Sequence, residues 1–238
     1  MKIVSAPVRR RLLPASATLY GCWVAIATCA ACAPSAPPAG PPASASPRAL
    51  ASREFSARTP AGLTIAAEER GRRDGPAVVF VHGLAHSRAS WLRQLDSPLA
   101  RDFHLVAYDL RGHGRSDRPE EDAFYTDGRR WGDELAAVID GARLQRPVVV
   151  AWSLGGVVVM NYLRDHGDRD LAGVVFVDAV TRFSPELFGD GNAALTQPLK
   201  APDLAARAAA TRRFIGACFV VPPRPGELDL ILAGAGVL

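Results

Sequence analysis

The run Val148-Val149-Val150-Ala151-Trp152-Ser153-Leu154-Gly155-Gly156-Val157-Val158-Val159-Met160 constrains what this chain can fold into more than any other stretch. Its first apolar, β-branched part reads as a buried strand, and the second apolar run, after the glycines, reads as a helix. A strand that passes into a helix this abruptly needs a sharp turn, and the serine at the apex takes a strained backbone. Its neighbours two places away on each side must then be small. Gly155 meets that demand fully, and Ala151 meets it with one extra methyl. The layout is that of a nucleophile elbow, which lifts a serine hydroxyl above a sheet. Taken alone, the segment equally allows a plain strand-to-helix turn with an incidental serine. A helix starting near Leu154 also turns free N–H groups toward Ser153, where they favour an oxyanion.

Two upstream segments decide between the readings. Val78-Val79-Phe80-Val81 is an apolar run that ends in His82-Gly83-Leu84. Tyr108-Asp109-Leu110-Arg111-Gly112-His113-Gly114-Arg115-Ser116-Asp117 follows the strand-like Phe103–Ala107. Its glycines permit a tight reversal, but as a phosphate-binding loop it lacks the third glycine. In this order the three segments resemble the α/β-hydrolase family from Phe55 to about Val180. The wording of the elbow and of Asp109–Asp117 is most similar to the esterase and non-haem haloperoxidase branch.

The resemblance implies an α/β fold, a mostly parallel sheet flanked by helices with a helical cap. It implies Ser153 as the nucleophile toward a small-molecule ester, and no cofactor or metal. The oxyanion hole would use the backbone N–H groups of Leu84 and Leu154, supported by His82, Gly83, Trp152 and Gly155. His82 is expected to brace its loop. Epoxide hydrolase and dehalogenase relatives are disfavoured, because they carry an aspartate where Ser153 stands. Perhydrolysis by the same machinery remains an alternative to ester hydrolysis.

The base is the gap. The family order is Ser, then acid, then His, and the only histidine after Ser153 is His166, near the far end of the same helix. At ~1.5 Å rise per residue it lies roughly 18–20 Å away along the axis, out of reach. His86 follows the oxyanion loop without any spacing that recommends it, and His104 and His113 read as structural. Asp178, at the end of the strand after the elbow helix, is the candidate acid. The expectation is an incomplete hydrolase: a core over 53–180, a partial cap over 181–238, and the last strands and the base missing. An inactive envelope lipoprotein with a binding role is the other reading of that gap.

The N-terminus reads as an export signal. Arg9-Arg10-Arg11 precedes an uncharged, alanine-rich stretch from Leu12 to Ala33. Cys29-Ala30-Ala31-Cys32 resembles a bacterial lipoprotein box, with Cys32 lipidated at the end of a signal peptide over 1–32. Cleavage after Ala33 and an uncleaved membrane anchor are alternatives. Residues 33–52, rich in Pro, Ala and Ser, form a tether without the apolar groups to fold. The expected location is the bacterial cell envelope, with the membrane as partner through this segment. Without Lys2 and the arginine triplet, 24 basic residues face 24 acidic ones, so nothing points to nucleic acid.

A coarse pass places the remainder. Glu54–Arg58 and Leu63–Glu69 alternate like an antiparallel pair, Ser90–Leu99 reads as a short helix, and Gly173–Val177 as a strand. Trp131, Leu135, Val138, Ile139 and Ala142 share one helical face. Cys218, alone beyond the signal region, is expected to be a buried thiol. The cap residues Phe183, Leu187, Phe188, Phe214 and Phe219 are candidates for an acyl pocket or for core packing.

Overall fold

The computed structural model describes residues 52–184 and 191–235. The expected signal segment with Cys32, the tether except Ser52, and the cap residues Leu187 and Phe188 lie outside the described residues. Strands β1 (Arg53–Arg58), β2 (Thr64–Gly71), β3 (Ala77–Val81), β4 (His104–Tyr108), β5 (Val148–Trp152) and β6 (Gly173–Val177) form one sheet. Its order is β1-β2-β4-β3-β5-β6. β1 pairs antiparallel with β2 and β2 with β4, whereas β4, β3, β5 and β6 run parallel. The helices are α1 (Leu92–Leu95), α2 (Ala123–Thr126), α3 (Gly128–Gly141), α4 (Gly155–His166), α5 (Gly191–Thr196), α6 (Leu204–Ala217) and α7 (Pro225–Gly234).

The parallel strands read as unbroken apolar runs because both faces of the sheet are covered. On one face Val79, Val106 and Val149 pack with Leu135 and Val138 of α3 and with Val158 and Val159 of α4. On the other, Phe80, Leu105 and Ala107 pack with Trp91 and Leu95. Val81 stands opposite both Tyr108 and Ala151, and Trp152 opposite Val177. The loops after β3, β4, β5 and β6 therefore leave the sheet along one rim, where ligands bind in open parallel sheets. The edge strand β6 exposes Val175, Phe176 and Val177.

Three expectations need correction. The helix over Ser90–Leu99 is instead a 3-10 turn (Arg88–Trp91), the single turn α1, and a second 3-10 turn (Pro98–Arg101). Ser87 and Ser97 cap the two 3-10 turns with their side chains, so the chain restarts twice rather than running on. Cys218 is exposed, not buried. It stands just past the end of α6, where Ile215 takes the inward position, and its thiol donates to Phe214 O at 3.3 Å. Phe183 is exposed as well, so it is not part of the core, whereas Phe214 and Phe219 pack around Ile215 and Ile231. The end of α7 meets the loop after β4, where Gly114 N donates to Gly234 O at 2.8 Å.

Helices α3 and α4 touch closely enough to require a glycine. A Cβ on Gly132 would sit 2.9 Å from Tyr162 N and 3.0 Å from Asn161 C. An added methyl gains about 1 kcal/mol in helix propensity. Backbone atoms cannot rotate away, however, and such overpacking costs about 1–3 kcal/mol. Gly132→Ala is expected to lower the urea midpoint, while Gly216→Ala, with open space around it, raises it. A midpoint that rises in both variants contradicts the close approach.

Candidate active site

Ser153 has φ 51°, the left-handed region, which costs a non-glycine residue about 1–3 kcal/mol. Backbone bonds hold it there. Ser153 N donates to Val177 O at 3.1 Å, and Ser153 O accepts from Gly156 N and from Val180 N, each at 2.9 Å. The small neighbours follow from this crowding. A Cβ on Gly155 would lie 2.8 Å from Val81 O, and one on Gly156 would lie 2.6 Å from Val180 O. Ala151 is fully buried between its partners Val81 and Phe176. A Cβ on Gly83 would lie 3.0 Å from Ser153 Cβ and 3.5 Å from Ser153 Oγ. The loop after β3 thus brings bare backbone against the serine. The N–H groups of Leu84 and Leu154 have no hydrogen-bond acceptor among the described residues.

Two buried histidines fix that loop. His82 Nε2 accepts from Leu110 N at 2.9 Å, so its Nδ1 carries the proton and donates to Gly83 O at 2.8 Å. His113 Nδ1 donates to Arg111 O at 2.9 Å, and its Nε2 accepts from Ala85 N at 3.2 Å. Each ring is a neutral splice between the loop after β3 and the loop after β4. Ala85 itself has φ 56°. His86 pairs through Nδ1 with Ser90 Oγ at 2.9 Å, and its ring lies 4.4 Å from that of Trp152. His104 bonds Glu69 at 3.0 Å. His166, the last residue of α4, bonds Asp133 at 3.0 Å and stacks on Tyr162. All 5 histidines of the chain are thereby accounted for, and none of their contacts is to Ser153 Oγ. Asp178, with φ 40°, is exposed and has no side-chain partner among the described residues. It is not brought together with a histidine.

Sequence reasoning missed two supports. Asp109 is buried and accepts from Arg88 N at 2.8 Å, from the Arg88 guanidinium and from Arg115 N at 3.0 Å. Arg111, also buried, bonds Glu134, Phe124 O and Arg130 O, and stacks 4.6 Å over the Trp131 ring. The available signal was Glu134 itself, a carboxylate on the apolar face of α3 beside Trp131 and Leu135. A buried carboxylate needs a buried cation.

These groups titrate with opposite signs. Burial holds the imidazoles of His82 and His113 below the usual histidine range and pushes His86 down to about 3. Burial also pushes Glu134 up to about 7, against the pull of Arg111. The histidines are neutral in the fold but take up protons when unfolded below pH ~6.5. Their stabilisation is complete above that pH and falls as pH drops, because the unfolded chain takes up protons that the folded rings resist. Glu134 works the other way between its unfolded and folded values, and returns about 1.4 kcal/mol per unit. Three rings outweigh one carboxyl, so unfolding free energy from urea titration is expected to fall from pH 6.5 to 5. His113→Asn is expected to flatten the slope, and a flat profile for the unaltered chain contradicts the neutral cluster.

Comparison with known proteins places this geometry. A structure described as an aryl esterase from Burkholderia cenocepacia is 39% identical, with TM-score 0.73, and the match covers 78% of this chain and 68% of that one. The esterase RhEst1 from Rhodococcus sp. ECU1013 is 30% identical, with TM-score 0.68, over 75% of this chain and 66% of its own. The bifunctional esterase/perhydrolase DCH of Acinetobacter calcoaceticus is 34% identical over 119 residues, 50% of this chain and 42% of the relative. The chain thus spans less than half the length of the curated relatives it matches, 44% for the AB hydrolase superfamily protein YisY of Bacillus subtilis. The alpha/beta hydrolase fold model matches residues 76–220, from β3 through the elbow and α6, and the chain belongs to that family.

Proposed function

We propose that this chain carries the nucleophile and oxyanion half of an exported serine hydrolase, a carboxylesterase for small or medium apolar acyl esters. The observation that carries the reading is the left-handed Ser153, with Gly83 packed against it and the N–H groups of Leu84 and Leu154 without an acceptor among the described residues. Ser153 Oγ would attack the ester carbonyl carbon, and the carbonyl oxygen would become an anion held by Leu84 N–H and Leu154 N–H. Collapse of that intermediate breaks the carbon–oxygen bond to the alcohol, which leaves with the serine proton. Water then releases the acid from the acyl-serine. Losing one oxyanion donor typically costs on the order of a hundredfold or more in rate.

A fluorophosphonate probe tests the serine directly. Covalent labelling of the native protein isolated from its host, abolished in Ser153→Ala, is the expected result. Equal labelling of both proteins, or none of either, removes the reading and leaves the alternative of a catalytically silent binding protein.

A second reading shares the acyl-serine but lets hydrogen peroxide take the place of water, so that a peracid leaves. The name of the Acinetobacter relative, which joins esterase and perhydrolase, favours keeping it.

Since none of the described contacts of the chain's five histidines reaches Ser153 Oγ, we place the proton-accepting base in residues outside these 238. We also place a lipid on Cys32 after removal of residues 1–31, which would hold the domain at the bacterial envelope by the tether. The intact mass of the native protein, taken from the membrane fraction of its host, is expected to exceed the mass calculated for residues 32–238 by more than a lipid. A soluble native protein no heavier than the 238 residues overturns both placements.

A further inference from the structure

We infer that the end of the sheet opposite the Ser153 rim holds a site for a phosphate monoester, bound by Arg53, Arg73 and Arg143. His104 opens β4 there, whereas Tyr108, at the other end of β4, stands at the rim beside Val81. A cavity of about 410 Å³ is lined by the three arginines, Glu69, His104 and the end of α3. That volume is within the usual range for a small-molecule site. Glu69 gathers two of the guanidinium groups. Its side chain is 2% exposed, and its Oε1 accepts from Arg53 Nε at 2.5 Å and pairs with an Arg73 nitrogen at 2.6 Å. Oε2 accepts from His104 Nε2 at 3.0 Å. Burial alone would raise the Glu69 carboxyl, but the bonds from Arg53 and His104 pull it below the ordinary carboxylate range. One ionised carboxylate thus meets three guanidinium groups, an excess of two positive charges among the lining residues. A single cation would neutralise Glu69.

Both Glu69 oxygens are taken, so what remains for a ligand is donors. The side chains of Arg53 and Arg73 are 48% and 60% exposed, within reach of a solute, and each meets Glu69 through one nitrogen. Arg53 is further steadied over the Phe55 ring, 5.3 Å from its centroid. Arg143 is exposed, and its guanidinium has no partner among the described residues. Its backbone takes φ 55° just past Ala142, the C-cap of α3. Glycine is the usual residue at a left-handed helix end, so an arginine there costs backbone energy without a side-chain contact to offset it. Arg143 N donates to Asp140 O and Leu144 N to Ile139 O, each at 2.9 Å. Those bonds occupy helix-end carbonyls that would otherwise repel an anion. Guanidinium groups engage phosphate oxygens through paired N–H···O bonds. A phosphate monoester has three terminal oxygens and close to two negative charges at neutral pH, which matches three arginines and cancels the excess charge. A carboxylate has two oxygens and half that charge.

Titration calorimetry of the native protein from its host, with glycerol 3-phosphate as the probe, tests the site without involving Ser153. Buffers are matched in ionic strength with chloride, so that general screening is constant. The probe is expected to bind with a Kd of about 1 mM or tighter. Arg143→Gln and Arg73→Gln are each expected to weaken it about tenfold or more, as the loss of charge-assisted hydrogen bonds does. Lys200→Gln, which removes a charge elsewhere, is expected to leave it unchanged. Glycine suits the left-handed turn, so Arg143→Gly keeps the fold and is expected to bind as weakly as Arg143→Gln. Phosphatidylcholine vesicles with and without phosphatidic acid, mixed with the Cys32→Ser protein, separate the two sources of a monoester. Sedimentation with the phosphatidic acid vesicles alone, lost on adding Arg143→Gln, assigns a lipid headgroup. Binding of glycerol 3-phosphate without that sedimentation assigns a soluble ester. Binding of neither probe, or binding that Arg143→Gln and Arg73→Gln leave intact, overturns the inference.

Discussion

Ser153 occupies a backbone conformation that serine avoids, and the architecture of the rim follows from holding it there. A cost of about 1–3 kcal/mol at one residue persists only where surrounding contacts over-determine the turn. Here they come from both sides: Ser153 N is fixed by the end of β6, and Ser153 O by the first turn of α4 and by Val180. The stretch Val177–Val180 and the first turn of α4 therefore converge within hydrogen-bond distance of one residue. That convergence leaves no room for side chains at positions 155 and 156, or for more than a methyl at 151. The glycines thus answer to the packing of β3 and of the segment after β6, as much as to the turn itself.

The loops around the serine are held by a different device. A loop that lines a reactive rim cannot bury its own backbone in a ladder, so its polar groups need side-chain partners. His82 and His113 supply them as neutral rings, each accepting one N–H and donating to one carbonyl across the two loops. Arg111 extends the same network, since its carbonyl holds His113 while its guanidinium reaches Glu134 inside α3. Glu134 on α3 is thereby connected to Ala85 beside the serine through a chain of direct hydrogen bonds. A ring that accepts at one nitrogen and donates at the other has no capacity left for proton transfer, which is why His82 and His113, though near the rim, give Ser153 no base.

The strands and the elbow were legible because their signals are local. Apolar runs bounded by turn residues fixed β3, β5 and β6 to within a residue, and the Ser153 turn announced itself through Ala151 and Gly155. Signals that depend on what lies across a gap were not legible. Nothing in the spacing of His86 places its ring on Trp152, since that contact depends on how the turn from Gly83 folds back. Cys218 sits among apolar neighbours in sequence, yet it falls past the last turn of α6, where one residue of rotation moves a side chain from the core to solvent. The helix expected over Ser90–Leu99 failed for a related reason. Serines at 87 and 97 offer the backbone side-chain caps that compete with a continuous helix.

Asp178 illustrates how far geometry restricts an assignment. Its backbone takes part in the elbow: with φ 40° it turns the chain after β6, so that Val180 N–H reaches Ser153 O. Its carboxylate does not, because it faces solvent with no described partner. An exposed charge acts on a neighbour only through water, where a unit pair at 4 Å is worth about 1 kcal/mol before salt screening. Orienting a catalytic base requires a direct hydrogen bond to its ring, and an unpaired carboxylate at the rim cannot provide one alone. Residue 178 therefore serves the serine through its main chain, and an acid's role for its side chain depends on a histidine brought to the same rim.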